Sequence, residues 1–278
     1  MFQQITDTYG IPMYKEVNPS WFACVTFPFL FGVMFGDICH GSVMLAFGLG
    51  LLFGENKIRE SGSSVGIEVL KLRYLFVLLG IFSTFCGLMY NDFASIPLFF
   101  NTCYTIPKNS AGHLEGVAVA EPGCVVPFGV DPAWYLSTAE ITFQNSMKMK
   151  ISVIFGVAHM TLGVCMKGMN AVYFSNKIDF FFEFVPQIIL LLAMFGYMDL
   201  LIILKWLTDY TGREHEAPSI ISTMIAMFLA GGVVPEGEAA LIVDAKTQQT
   251  VSLVMVVLVV ICVPTMLIPK PVLVFKAH

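Results

Sequence analysis

The sequence predicts an all-α fold, a polytopic helical membrane protein with about six transmembrane helices and one interfacial or re-entrant helix. Three observations carry that expectation. Of 278 residues, 56% are apolar and only 13% charged, with a mean hydropathy of +0.77, whereas globular proteins average about a quarter charged. Too few charges remain to coat a soluble surface. The apolar residues also fall into runs long enough to cross a hydrocarbon core roughly 30 Å thick. Finally, 15 Lys+Arg against 20 Asp+Glu give a net charge of −5 with no basic run to grip phosphates, so no nucleic-acid partner is expected.

Taken in order, the leading stretch QQITDTYGIPMYKEVNPS lacks a positively charged n-region, and no cleavable signal is expected there. The first apolar run, residues 21–53, is interrupted by Asp37 and His40. As one helix it would reach about 50 Å, too long for a bilayer core. The FGDICHG segment places two glycines and both ionisable groups together, which predicts a helical hairpin with its tip at Asp37 to His40 and spans over 21–37 and 38–54. Further spans are expected at 72–91, 151–167, 180–206 and 250–268. PSIISTMIAMFLAGGVVP, residues 218–235, is apolar but too short to cross comfortably, and reads as interfacial or re-entrant.

Orientation follows from basic residues. With a cytoplasmic N-terminus, nine lysines and arginines fall on the cytoplasmic side (15, 57, 59, 71, 73, 167, 177, 270, 276) and six opposite (108, 148, 150, 205, 213, 246). Loops 91–149 and 207–249 are then lumenal. Five of the seven cysteines, Cys24, Cys39, Cys86, Cys165 and Cys262, lie in spans or at the hairpin tip and are expected to pack as small apolar residues. Cys103 and Cys124 share a polar loop and are candidates for a disulfide if that loop is lumenal. There is no CxxC and no zinc spacing, so no metal or cofactor is expected.

Ionisable groups inside a bilayer are costly and mark candidate sites. Asp37, His40, His159, Glu183 and Asp199 qualify. Asp37 and His40 also fit a simpler role, capping helix ends and bonding each other near the surface. His159, in FGVAHMTLG, has the proton-shuttling chemistry of imidazole, while Gly156 and Gly163 would let a second helix approach and make it an interhelical hydrogen-bond partner. Glu183 sits near the start of its span beside Pro186, a position that also suits the interface. Asp199 is sixteen residues further, about 24 Å along a helix, so the two carboxylates cannot pair. No G-x-S-x-G, P-loop or H-E-x-x-H motif is present, and the GVMFG of residues 32–36 matches a common small-xxx-small packing pattern.

Five segments, in order, resemble one family. They are YGIPMYKEVNPSWFACVTFPFLFGVMFGDICHG, GLMYNDFASIPL, KMKISVIFGVAHMTLGVCMKGMNAVYF, FFEFVPQIILLLAMFGYMDLLIILKW and VVICVPTMLIPKPVLV. Together they are similar to the membrane domain of subunit a of vacuolar-type proton-translocating ATPases. The resemblance implies a stator beside a rotating ring of proteolipid subunits, with other V-ATPase subunits and membrane lipid as partners. It implies a role in organelle acidification, in a vacuolar, lysosomal or endosomal membrane.

Two departures stand out. The family carries a large cytoplasmic domain before the first span and two long helices after the KP segment, whose arginines meet the ring. Here Arg59, Arg73 and Arg213 are all loop or border residues. A fragment, a split subunit completed by a second polypeptide bearing those helices, and a shortened paralogue are the three alternatives. Cys39 also stands where the family often has glycine, which predicts a stiffer turn. The alternative function, an autonomous six-span transporter or ion channel lined by Asp199 and His159, would favour internal repeats, and none relates residues 1–140 to 141–278.

Overall fold

The computed structural model describes residues 1–98, 101–105, 118–210, 212–234 and 237–277. Lys108 and Pro235 lie outside the described residues. The helices are α1 (Phe2–Asp7), α2 (Ser20–Met34), α3 (Ile38–Phe53), α4 (Glu55–Glu60), α5 (Ser64–Lys71), α6 (Arg73–Tyr90), α7 (Glu140–Tyr173), α8 (Lys177–Leu207), α9 (Ile220–Leu229), α10 (Ala245–Leu267) and α11 (Pro269–Ala277). Two two-residue strands, β1 (Tyr104–Thr105) and β2 (Val119–Ala120), pair antiparallel with Tyr104 opposite Ala120. Among the described residues, α6, α7, α8 and the continuous α10–α11 stretch are long and apolar enough to cross a membrane, whereas α2, α3 and α9 are shorter apolar helices.

Contacts divide the chain into two units. The first contains Met1–Pro12 and Asn18–Ser152. In it α2 and α3 both pack on α6. The chain reverses between Met34 and Ile38, as the interrupted apolar run predicts. Glycine allows the close packing: a Cβ on Gly80 would lie 2.5 Å from the Leu45 backbone nitrogen, and one on Gly87 only 2.4 Å from that of Ile38. On the facing helix, Gly41 and Gly48 meet Thr84 and Val77 in the same way. The GVMFG pattern is also a packing surface, Gly32 against Phe82 and Gly36 against the Tyr90 ring. Breaking a helix orphans its last carbonyls. Here Tyr90 Oη donates to Val33 O at 2.9 Å and Ser83 Oγ to Phe35 O at 2.6 Å.

Beyond α6 the buried Asn91 takes a left-handed backbone (φ 56°) and ties the loop with its amide, accepting from Leu98 N and donating to the carbonyls of Leu98 and Val130. Asp131 accepts from Thr102 Oγ1, Cys103 N and Ala133 N. Cys103 and Cys124 are paired, with Cα atoms 5.5 Å apart. The helix after this loop begins at Glu140, eleven residues before the apolar run from which a span over 151–167 is expected. Gln144, Met147, Lys148 and Lys150 are good helix formers, so the helix continues where hydropathy ends.

The second unit contains Met13–Val17 and Val153–His278. Helix α8 carries two π turns, Phe180–Phe184 and Leu192–Gly196, where Val185 N donates to Phe180 O and Tyr197 N to Leu192 O. The first ends two residues before Pro186, whose ring cannot fit against a regular preceding turn. Helix α10 packs along α8, and Tyr197, Leu201, Met227 and Leu241 form the buried core with α9. Tyr197 Oη and Ser252 Oγ share a hydrogen bond of 3.0 Å, and the buried Gln248 accepts from Leu241 N at 2.7 Å. Of the interfacial segment expected over 218–235, Ile220–Leu229 is helical, ending before Gly231 and Gly232, both left-handed.

Candidate functional site

Two polar clusters emerge, one in each unit. In the first, Asp37 caps α3: its Oδ1 accepts from Cys39 N at 2.8 Å and from Ala94 N at 3.0 Å, and its Oδ2 pairs with His40 Nδ1. Capping a helix start with a carboxylate satisfies free N–H groups and suits the helix dipole. Burial pushes the Asp37 carboxyl up, but the Ala94 N–H, the His40 ring and the Cys39 N–H outweigh it and hold the group below its ordinary value. Ile38 N donates to Asp92 O at 3.0 Å, and Asp92 pairs with Lys148, whose ammonium also lies 4.9 Å from the Tyr90 ring centroid. The hairpin turn is thereby laced to the segment after α6. Cys39 occupies the first turn of α3, so glycine's freedom is not needed there.

The second cluster surrounds Glu183, which the first π turn places between two cations. Its Oε1 binds Lys167 of α7, and its Oε2 lies 2.5 Å from Lys270 Nζ of α11. Lys270 reaches Asp179 at 2.9 Å, Lys167 reaches Gln187 at 3.3 Å, and Asn176 donates to Asp179 at 2.6 Å. Two lysines and two carboxylates therefore cancel in charge while joining three helices. Partly buried ion pairs resist screening better than exposed ones.

The other candidates belong to neither cluster. Asp199 follows the second π turn and is half-buried, with Oδ1 buried and unpartnered among the described residues. His159 is exposed on α7. Among the described residues nothing approaches Gly156 or Gly163 closely, whereas Gly168 receives the Phe184 ring, 2.5 Å from where its Cβ would lie. Of the cysteines, Cys86 and Cys262 are buried as small apolar residues, but Cys165 is exposed.

The sequence pattern joins Asp37 to His40 through their spacing. Lys167, Lys270, Asp179, Asp92 and Lys148 escape it: the two lysines on Glu183 are 16 and 87 residues away. The signal that would have found them is that Lys167 and Lys270 both stand at ends of apolar runs, where cations and a lone carboxylate meet.

A model of the V-type ATPase 116kDa subunit family matches residues 1–278. The chain is 38% identical over 282 residues to V-type proton ATPase subunit a3 of Arabidopsis thaliana, covering 99% of this chain and 33% of that protein. It is 37% identical over 287 residues to the V-type proton ATPase 116 kDa subunit a 1 of Mus musculus, covering 97% and 34%. Subunit a of Schizosaccharomyces pombe gives 37% over 281 residues, covering 100% and 33%. The chain thus spans about a third of the length of these relatives. With its apolar helices and its match along the whole of its length, the chain belongs to the V-type ATPase 116kDa subunit family.

Proposed function

We propose that residues 1–278 act as part of the stator membrane subunit of a V-type proton-transporting ATPase, a scaffold beside the proteolipid ring during ATP-driven proton translocation and organelle acidification. The match to V-type proton ATPase subunit a proteins over the full length of the chain carries this reading. In it α2 and α3 complete six spans with α6, α7, α8 and α10, the N-terminus is cytoplasmic, and the hairpin turn and the loop bearing Cys103 and Cys124 face the lumen of a vacuole, lysosome or endosome. An oxidising lumen keeps that pair bonded.

The helices pack through glycine and through neutralised ion pairs, which suits a fixed frame. Asp37 and His40 hold the turn, and Glu183 holds three helix ends. Asp199 and His159, which belong to neither cluster, are the candidates to line a polar path. The three arginines lie in α4, at the first residue of α6 and at position 213 after α8, so in this reading the cation facing the ring comes from outside residues 1–278. Reconstituted alone in liposomes with a pH gradient, the chain should be proton-tight. Flux abolished by His159→Ala would overturn the scaffold reading and favour a channel.

A further inference from the structure

We propose that the second unit holds a binding site for one anionic phospholipid, seated where residues 13–17 cross the end of α7. A cavity of about 780 Å³ opens there, lined by Lys15, Val17, Gly168, Met169, Val172 and Phe184. That volume lies within the range of small-molecule and cofactor sites. Its walls are almost wholly apolar, which suits an acyl chain rather than a polar solute.

Three features build the site. Val17 N donates to Asn170 Oδ1 at 2.9 Å, which fixes residues 13–17 to α7. Gly168 admits the Phe184 ring as a wall, and Phe184 itself closes the first π turn. Lys15 is held in a left-handed conformation (φ 72°), exposed, with its ammonium 5.8 Å from the Tyr14 ring centroid. Such a conformation is uncommon outside glycine.

The headgroup is selected by Lys15, because the Glu16 carboxylate is tied back to the backbone of its own turn. Two ionisable side chains, Lys15 and Glu16, face this cavity besides Cys165 and Tyr173. Glu16 is engaged by Met13 N at 2.7 Å. Lys15 has no carboxylate at ion-pair distance among the described residues, whereas the neighbouring Lys167 is committed to Glu183. The cavity straddles the end of the apolar run at Lys167, from Cys165 to Tyr173, and Tyr173 and the chain neighbours Tyr14 and Phe174 are exposed, as aromatic side chains are at a membrane surface. A phosphate at Lys15 with a chain along Met169 and Val172 satisfies both halves of the site.

The test is native mass spectrometry of the full chain, released from nanodiscs containing equal phosphatidylserine and phosphatidylcholine. One retained phosphatidylserine per chain is expected, at least fivefold over phosphatidylcholine. Lys15→Ala should remove that preference, and Val172→Trp, at an exposed position that tolerates bulk, should lower retention of both lipids severalfold. Equal retention of the two headgroups in the parent overturns the proposal. So does retention unchanged by Val172→Trp, which would place the lipid elsewhere, or retention of neither lipid by a chain whose helical circular dichroism is intact.

Discussion

The two units solve the same problem, holding apolar helices together where burial against lipid offers little, by different means. In the first, glycines at 41, 48, 80 and 87 let α3 and α6 meet backbone to backbone, and side chains of α6 satisfy the broken end of α2. In the second, α7 leaves Gly156 and Gly163 open within its unit, and cohesion at the helix ends comes from Glu183 shared between Lys167 and Lys270. A small-residue seam is a matter of shape and tolerates no added atom. An ion-pair clamp is a matter of charge and responds to protonation and salt.

Alanine at matching sites separates these cases most sharply. Gly87→Ala forces a Cβ into the Ile38 backbone and should cost about 3 kcal/mol, since over-packing distorts the backbone. Gly156→Ala meets nothing and should be neutral or stabilise by up to about 1 kcal/mol through helix propensity. Unfolding of the detergent-purified chain measures both, and equal effects would erase the distinction.

Next in size is the Cys103–Cys124 link, whose partners are 21 residues apart. Reduction should destabilise the loop by about 3 kcal/mol on the chain-entropy account. Maleimide should label both cysteines only after reductant, and labelling without it counts against the bond.

Glu183→Gln should cost about 1–2 kcal/mol, between the values for exposed and buried pairs. Lys167→Met should cost less, because Lys270 remains. A double-mutant cycle between positions 183 and 270 reads the coupling directly.

Smallest is Asp37→Asn, expected to cost about 0.5–1 kcal/mol through the lost charge at the cap. The Asp37 carboxyl is depressed in the folded chain. Its contribution is therefore complete above the ordinary carboxylate value of about 3.9 and is lost as pH falls through the lower folded value. The stability difference between parent and variant should persist at pH 5 and shrink only below about pH 4. A difference that vanishes by pH 5 would mean that the carboxyl is not held down.

Much of this was legible in the sequence. Hydropathy places α6 and α8 within a few residues, and the glycines and charges in FGDICHG mark the chain reversal. The start of α7 at Glu140 was not legible, because hydropathy reports the bilayer and not the hydrogen-bonded ladder. The π turns were hidden too: Pro186 announces a freed carbonyl, but not the widening that accommodates it. Asp37 and His40 are one helical turn apart, so their pairing is local. The Glu183 clamp depends on where α7 and α11 end in space, and no local pattern carries that. The glycine seam was visible in outline only, since heptad spacing on α3 and α6 gains meaning once the two are known to face each other.

The reading of this chain as a frame for a proton pump stands on its family and on helices locked by shape and neutralised charge. Affinity purification of the tagged chain from its native membranes, in mild detergent, tests it most directly. Proteolipid ring subunits and the soluble ATPase subunits should copurify in constant ratio, and Gly87→Ala should lower their yield. A chain that elutes free of them, and that transports a solute by itself in liposomes, would contradict the account.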